Sequence, residues 1–335
     1  MENSYRNETE RGILPMNKKA GIALTLTGLT ATSLISLSVI NKTIIQLATS
    51  KRLLDSKNKE MYHWRFGDIS YSVTGEGKPV LLVHNLTEDS SSVEWAEIIP
   101  KLSRTNTVYA IDLLGCGLSD RPDITYTSYM YTQLINDFIQ NIIKKKTSVI
   151  ATGKSVSFVL GACSVNEDAY EELILINPEN IRSLNRSPSK RTNTAAFILK
   201  MPSIGTFIYH MLTARNLIEE KFEENYYYDS ENIPEALYDY YFESAHLKGK
   251  ASKNLCASLV GRYTNANIIR TLKTVNKNIH ILAGQELPGI KDTVKEYQYY
   301  NPAIETEYIE YTKGLPQLES PDQVLKYINL YLLNE

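Results

Sequence analysis

The alternation of short apolar runs with helical stretches, which begins near residue 61, constrains the fold of this chain most strongly. Eight runs are predicted as strands: 61–66, 68–73, 80–84, 107–112, 148–152, 173–177, 278–283 and 304–310. Helices are predicted at 92–102, 128–145, 155–165, 290–300 and 322–333. A β-helix-β alternation indicates parallel strands joined by right-handed crossovers. The first two strands are joined tightly through Gly67 and predict an antiparallel hairpin, so the expected class is α/β with a mostly parallel eight-stranded sheet and helices on both faces.

Between residues 181 and 262 the alternation stops. This stretch begins as a loop-like segment and becomes helical, and it carries a cluster of tyrosines. Tyr226, Tyr227 and Tyr228 lie within it, as do Tyr238 and Tyr241. We therefore expect a helical cap at 181–262, inserted into a core formed by residues 60–180 and 263–335. The tyrosines are expected mainly to pack the cap helices, and lining a ligand pocket is the alternative.

An uncharged run of 21 residues, Ala20 to Ile40, precedes the core. At about 1.5 Å per residue it is long enough to cross the hydrocarbon layer of a bilayer. We predict a tail at 1–19, a single transmembrane anchor at 20–40 and a linker at 41–59. A cleaved signal peptide and a buried helix of the globular part are the alternatives. The flanking Lys and Arg residues barely distinguish the two orientations. The odd number of cysteines gives a weak preference for a cytoplasmic core domain.

Charge and cysteine content exclude several classes of function. Residues 1–59 hold nine Lys/Arg and four Asp/Glu, whereas the rest of the chain is acidic. A nucleic-acid-binding domain would be basic, so no nucleic-acid partner is expected. Three scattered cysteines, at 116, 163 and 256, do not form the pattern of a disulfide framework or a zinc site, and we predict neither a metal nor a cofactor.

Four loop segments carry the motifs that bear on chemistry. His84-Asn85 follows the third predicted strand, and Asp112 begins the turn Asp-Leu-Leu-Gly-Cys-Gly-Leu-Ser after the fourth. Gly153-Lys154-Ser155-Val156-Ser157 follows the fifth strand and leads directly into a helix. The segment Gly314-Leu-Pro-Gln-Leu-Glu-Ser-Pro precedes the last helix.

In this order, the four segments resemble those of the α/β-hydrolase superfamily, particularly capped members such as haloalkane dehalogenases and proline iminopeptidases. The resemblance covers about residues 60–335. It implies that 153–157 is the nucleophile elbow Gly-x-Ser-x-Gly, with Ser155 as the nucleophile. It also implies an oxyanion hole formed at Asn85 and by the amide of Val156, and a purely structural role for the turn that begins at Asp112.

The resemblance fails at the other two catalytic positions. Where the family pattern has its acid, this chain has Leu287, with Glu286 as a possible replacement one residue away. Where the family has its histidine, this chain has Gly314, and no histidine follows His280. His84 and His246 are the candidate substitute bases, although a packing role is the more common one for such residues.

Two functions remain open from the sequence. The first is a membrane-anchored serine hydrolase that acts through Ser155 on a small ester, amide or lipid-like substrate with an atypical acid and base. The second is a catalytically inactive relative that binds a small ligand or a partner. A serine hydroxyl without a base is a poor nucleophile, so the missing histidine opposes the first function.

Overall fold

The structure is a computed structural model, and it describes residues 35–55 and 59–333. Within these residues the strands are β1 Lys59–Trp64, β2 Gly67–Thr74, β3 Lys78–Val83, β4 Asn106–Ile111, β5 Thr147–Thr152, β6 Tyr170–Ile176, β7 Asn278–Gly284 and β8 Glu305–Ile309. These eight strands form one sheet in the order β1-β2-β4-β3-β5-β6-β7-β8. β1, β2 and β4 pair antiparallel, and every other pairing is parallel.

The central strands are apolar because helices cover both faces of the sheet. β3 and β5 are buried almost along their whole lengths, with residues such as Leu81 and Ile150 fully inaccessible. Alternate side chains of these strands enter two separate hydrophobic clusters, one on each face. This is the burial expected of parallel strands in a layered α/β protein.

Helices of the core lie on the two faces of the sheet. The core helices are α2 Ile99–Leu102, α3 Ser128–Phe138, α4 Ser155–Val165, α11 Ile269–Thr274, α12 Ile290–Tyr300, α13 Pro316–Glu319 and α14 Pro321–Leu333. The larger cluster packs under α3, α4, α11 and α12, and the smaller cluster packs under α2 and α14.

A helical cap is inserted between β6 and β7. It comprises α5 Ile181–Leu184, α6 Lys190–Lys200, α7 Ile204–Leu212, α8 Arg215–Lys221, α9 Glu235–His246 and α10 Lys253–Val260. Its aromatic cluster centres on Phe222, which packs edge-on against Tyr226, Tyr238 and Tyr241. The predicted fold class is therefore confirmed: a mostly parallel eight-stranded sheet, helices on both faces and a helical insertion.

The helix α1, Ile35–Ala48, precedes the core and contacts the cap. It crosses the boundary at 40/41 that the sequence analysis placed between anchor and linker. Residues 20–34 of the predicted anchor lie outside the described part of the chain. Among the described residues, no single helix has both the length and the apolar character needed to cross a bilayer.

Candidate functional site

A sharp turn joins the end of β5 to the start of α4 and places its residues at the carboxyl edge of the sheet. The residue at the apex is Gly153, which follows the last strand residue and has a left-handed φ of +54°. Lys154 comes next, and α4 begins at Ser155. Such a strand-to-helix turn is where the α/β-hydrolase fold exposes its nucleophile. Here the apex residue has no side chain.

Ser155 lies at the first position of α4, below this apex. It is fully buried, and its hydroxyl donates a hydrogen bond to the backbone oxygen of His84 at 2.6 Å. Val156, the predicted oxyanion donor, is also fully buried within the helix. The structure thus brings Ser155 next to the His84 loop but turns its hydroxyl into the protein interior.

The side chain of Asn85 occupies the space above Gly153. Its Oδ1 accepts a hydrogen bond from the backbone amide of Lys154 at 2.9 Å. A Cβ atom at position 153 would lie only 2.4 Å from that oxygen. In this fold the amide that follows the nucleophile is a donor of the oxyanion hole. The carboxamide of Asn85 therefore engages the donor that a substrate oxyanion would need.

His84 is held in one neutral tautomer by two backbone groups. Its Nε2 accepts from the amide of Leu113 at 2.9 Å, so its Nδ1 carries the proton and donates to the oxygen of Asn85 at 2.6 Å. Burial lowers the pKa of His84 to about 4. Both ring nitrogens are engaged, and neither is available to take a proton from Ser155.

A buried carboxyl group supports the same loop from below. Glu94 is 1% exposed, and its Oε2 accepts hydrogen bonds from the amide of Asn85 and the hydroxyl of Thr152, each at 3.0 Å. Burial raises the pKa of Glu94 to about 7, although these hydrogen bonds oppose the rise. Glu94 therefore fixes the Asn85 loop against the end of β5.

The structure does not bring the other two predicted acid and base candidates to the turn. The ring of His246 stacks on His210 in the cap at a centroid distance of 4.9 Å, and its Nδ1 donates to the oxygen of Phe242. Glu286 is exposed and accepts a hydrogen bond from Gln285. Neither residue lines the cavity described below.

The two positions at which this chain lacks the acid and base of the family pattern do lie near the turn. Leu287 and Gly314 both line the cavity next to Gly153. The amide of Gly314 donates to the oxygen of Asn225 in the cap, and a Cβ atom at 314 would lie 2.5 Å from that oxygen. The cap backbone thus fills the space that a histidine at 314 would need.

A cavity of about 540 Å³ opens at this edge of the sheet. Its apolar wall includes Leu86, Leu259, Leu287, Ile290 and Leu315. Its polar wall includes Asn85, Lys154, Asn177, Glu179, Asn180 and Asn225. Lys154 is paired with Glu179 at 3.1 Å and with the side-chain oxygen of Asn265 at 2.8 Å. Ligands bind to open α/β sheets at this same place, beyond the carboxyl ends of the strands.

Comparison with known proteins agrees with this architecture. A family profile described as alpha/beta hydrolase fold matches residues 78–152, which run from β3 to the end of β5. The chain belongs to the α/β-hydrolase superfamily. Within that superfamily, the turn at Gly153 corresponds to the nucleophile elbow and the Asn85 loop to the oxyanion loop.

Sequence relatives match about two fifths of the chain. A 2-hydroxy-6-oxo-6-(2'-aminophenyl)hexa-2,4-dienoic acid hydrolase from Metapseudomonas resinovorans is 29% identical over 130 residues, which is 37% of this chain and 45% of the relative. A haloalkane dehalogenase from Agrobacterium fabrum is 27% identical over 133 residues, which is 39% of this chain and 42% of the relative. The matched region is thus less than half the length of either relative.

Solved structures cover more of the fold. A serine hydrolase involved in carbazole degradation, the CarC enzyme, superimposes with a TM-score of 0.66 at 16% identity, covering 83% of this chain and 99% of its own. A membrane phospholipase A superimposes with a TM-score of 0.65 at 14% identity, covering 94% of this chain and 98% of its own. At such low identity, these likenesses establish a common fold.

Sequence reasoning missed the importance of Gly153 and of the Asn85 side chain. The available signal was the end of β5, because the nucleophile of this fold occupies the turn directly after the strand. If the elbow motif is placed two residues earlier, it covers Ala151-Thr152-Gly153-Lys154-Ser155. Small residues then lie at both ends, and glycine occupies the central position of the nucleophile. The nucleophile was predicted at Ser155 because serine is the residue type expected in that role.

Proposed function

We propose that this α/β-hydrolase binds a small organic ligand in the cavity at Gly153 and does not use serine-type catalysis. The observation that supports this proposal most directly is the structure of the elbow. Its apex is a glycine, and above it the side-chain oxygen of Asn85 accepts a hydrogen bond from the Lys154 amide. A hydrolase of this type needs a nucleophile, a base and a free oxyanion hole. Among the described residues, this turn has glycine at its apex, both ring nitrogens of His84 are hydrogen-bonded to the backbone, and the Lys154 amide is bonded to Asn85.

The chemistry of the cavity wall supports the binding role. Apolar leucines form one side, and amide groups with a paired lysine form the other, which suits a molecule that is partly apolar and carries a few polar groups. Within the described part of the chain, no histidine or cysteine contributes to the lining. The side chain of Lys154 is 13% exposed and paired, so it serves here as a fixed polar contact and not as a free nucleophile.

Hydrolysis is the second candidate, because the sequence relatives carry hydrolase names. It would act through Ser155, with Glu286 as acid and His84 or His246 as base, on a small ester, amide or lipid-like substrate. Ser155 would first have to leave its hydrogen bond to His84 and reach the cavity. Covalent labelling of Ser155 by a fluorophosphonate distinguishes this candidate from the binding function.

Membrane attachment through residues 20–40 is part of the proposal. The uncharged run supports it, and the odd number of cysteines weakly favours a core domain on the cytoplasmic side. The full-length chain should sediment with membranes and remain there in a high-salt wash, whereas a chain lacking residues 1–34, which keeps the whole of α1, should be released by that wash. Full-length protein found entirely in the supernatant would refute the attachment.

A cavity-filling substitution tests the binding function. The full-length chain is screened by thermal shift against a panel of small metabolites, and each stabilising compound is tested again with Leu287→Trp, which fills the cavity. Leu330→Trp is the matched control, because Leu330 is 49% exposed on α14 and does not line the cavity. We expect the Leu287 variant to lose the stabilisation and the control to retain it. Equal responses from both variants would contradict binding at this site.

A further inference from the structure

Exposed apolar side chains are concentrated on one part of the molecule. Among the described residues, 18 large hydrophobic side chains are exposed, and ten of them lie in two short segments, 35–47 and 197–217. They belong to α1 and to the cap region from α6 to α8. The most exposed are Leu47 at 70%, Phe197 at 69%, Ile35 at 64%, Val39 at 61% and Met211 at 56%.

These two segments contact each other. Ser38 of α1 shares a hydrogen bond of 2.9 Å with the hydroxyl of Ser203, which lies between α6 and α7. Asn41, one turn further along α1, donates to the backbone oxygen of Ser203 at 2.9 Å. α1 therefore lies against the junction of α6 and α7, and both segments carry exposed apolar side chains. We name this surface, formed by residues 35–48 and 190–217, the basic apolar face.

The charge of this part of the chain is entirely positive, although the chain has a net charge of −2. Residues 35–54 contain three Lys/Arg and no Asp or Glu. Residues 180–218 contain six Lys/Arg and no Asp or Glu. Four basic residues of the face are exposed: Lys42, Lys190, Arg191 and Lys200. Acidic groups that border the face include Asp123, which pairs with Lys200, and Glu219, Glu235 and Asp239, which pair with Arg215. Asp239 also pairs with Lys51.

We propose that the basic apolar face docks on an anionic lipid bilayer. Apolar side chains flanked by Lys and Arg are the pattern of surfaces that lie in the membrane interface, where the side chains enter the headgroup region and the cations meet lipid phosphates. The sequence supplies an independent argument, since the uncharged residues 20–34 lead directly into α1 at Ile35. A second copy of the chain would bring two positive faces together, which disfavours self-association.

This inference goes beyond attachment of the chain by its amino-terminal run. A tether alone would leave the cap free in water, whereas docking places α6 and α7 against the lipid. It does not depend on whether the cavity binds a ligand or catalyses a reaction. The two kinds of attachment differ in which residues contact lipid, and that difference can be measured.

Site-specific labelling of the full-length chain tests the docking. The three native cysteines are buried, so a cysteine introduced on the surface can be labelled selectively. An environment-sensitive NBD fluorophore is attached to Phe197→Cys, to Met211→Cys and to the control Val165→Cys, whose residue is 73% exposed on α4. Vesicles of phosphatidylcholine, with or without phosphatidylglycerol, are then added.

We expect a several-fold fluorescence increase with anionic vesicles at 197 and 211 and none at 165. The double charge reversal Lys190→Glu with Arg191→Glu should abolish the increase at 197, whereas Lys291→Glu with Lys295→Glu on α12 should not. Vesicle-bound protein with unchanged fluorescence at 197 and 211 would overturn the proposal and leave the amino-terminal run as the sole contact. An equal response to zwitterionic vesicles, or a response to protein concentration alone, would also overturn it.

Discussion

The side-chain oxygen of Asn85 accepts a hydrogen bond from the backbone amide of Lys154 at 2.9 Å, directly above Gly153. This contact joins the loop after β3 to the turn after β5 and fills the place where an α/β-hydrolase receives its substrate oxygen. A glycine at the apex is what allows it, because any side chain there would meet the carboxamide. The Asn85 side chain therefore occupies the amide donor at this turn, and both groups form part of the cavity wall.

A serine at the apex should destabilise the protein. In Gly153→Ser, a left-handed φ of +54° costs about 1–2 kcal/mol, and the clash with Asn85 adds at least about 1 kcal/mol. Gly289→Ser is the matched control, because Gly289 has a φ of +76° and no atom of the described residues lies within 4 Å of the place that its Cβ would take. Urea unfolding should show the larger loss at 153. In the Asn85→Gly background the two losses should become similar, since the clashing group is gone.

Restoring only the residues that differ from the family pattern should not create an esterase. The pair Leu287→Asp with Gly314→His supplies an acid and a base, but the apex still lacks a nucleophile and Asn225 blocks the histidine. We expect hydrolysis of a small activated ester no faster than that of the parent. A rise in activity that both substitutions are needed to produce would show that Ser155 can act as the nucleophile.

Ser155 should behave as a structural residue. Replacing it with alanine removes the hydrogen bond to His84 and should lower the free energy of unfolding by about 1 kcal/mol. Ser157→Ala offers a comparison, because Ser157 is also buried and donates to the oxygen of Lys154 at 2.8 Å. Both variants should retain ligand-induced stabilisation in the thermal-shift assay. Loss of it in Ser155→Ala alone would indicate a direct role in the cavity.

Glu94 should give the stability of the protein a distinctive pH dependence. Its pKa is about 7 in the folded state and near its ordinary value of 4.5 when unfolded, so the folded state binds the extra proton between these values. Its contribution to stability is therefore complete below pH 4.5 and is lost as the pH rises through 7. The buried histidines, including His84 with a pKa of about 4, act in the opposite direction.

Comparison with a variant isolates this contribution from that of the histidines. Glu94→Gln keeps an oxygen for Asn85 and Thr152 but cannot ionise. Relative to the parent, it should be stabilised progressively from about pH 5 to about pH 8, by an amount on the order of 1–3 kcal/mol. Glu97→Gln, at an exposed position nearby, should show no such trend. Parallel pH profiles for the parent and Glu94→Gln would contradict the assignment.

The sequence was sufficient for the fold because burial patterns encode it. The runs around Leu81 and Ile150 are apolar on both faces, as expected of a parallel strand that is covered on both sides. All eight predicted strands occur. The site was harder to predict, since the position that the nucleophile would occupy depends on the residue at which β5 ends. Ser155 and Gly153 differ by two positions, and only the backbone shows which of them has the left-handed conformation. The blocking contacts from Asn85 and Asn225 depend on tertiary packing that no local motif specifies.

Reaction of the full-length chain with a fluorophosphonate, followed by intact-mass and peptide analysis, tests the central claim most directly. A buried hydroxyl bonded to His84 and a glycine at the apex predict no adduct at Ser155 under conditions in which an active serine hydrolase is fully labelled. The Ser155→Ala variant should give the same spectrum as the parent. Rapid, stoichiometric labelling at Ser155 that this variant abolishes would contradict the account and establish a working serine nucleophile.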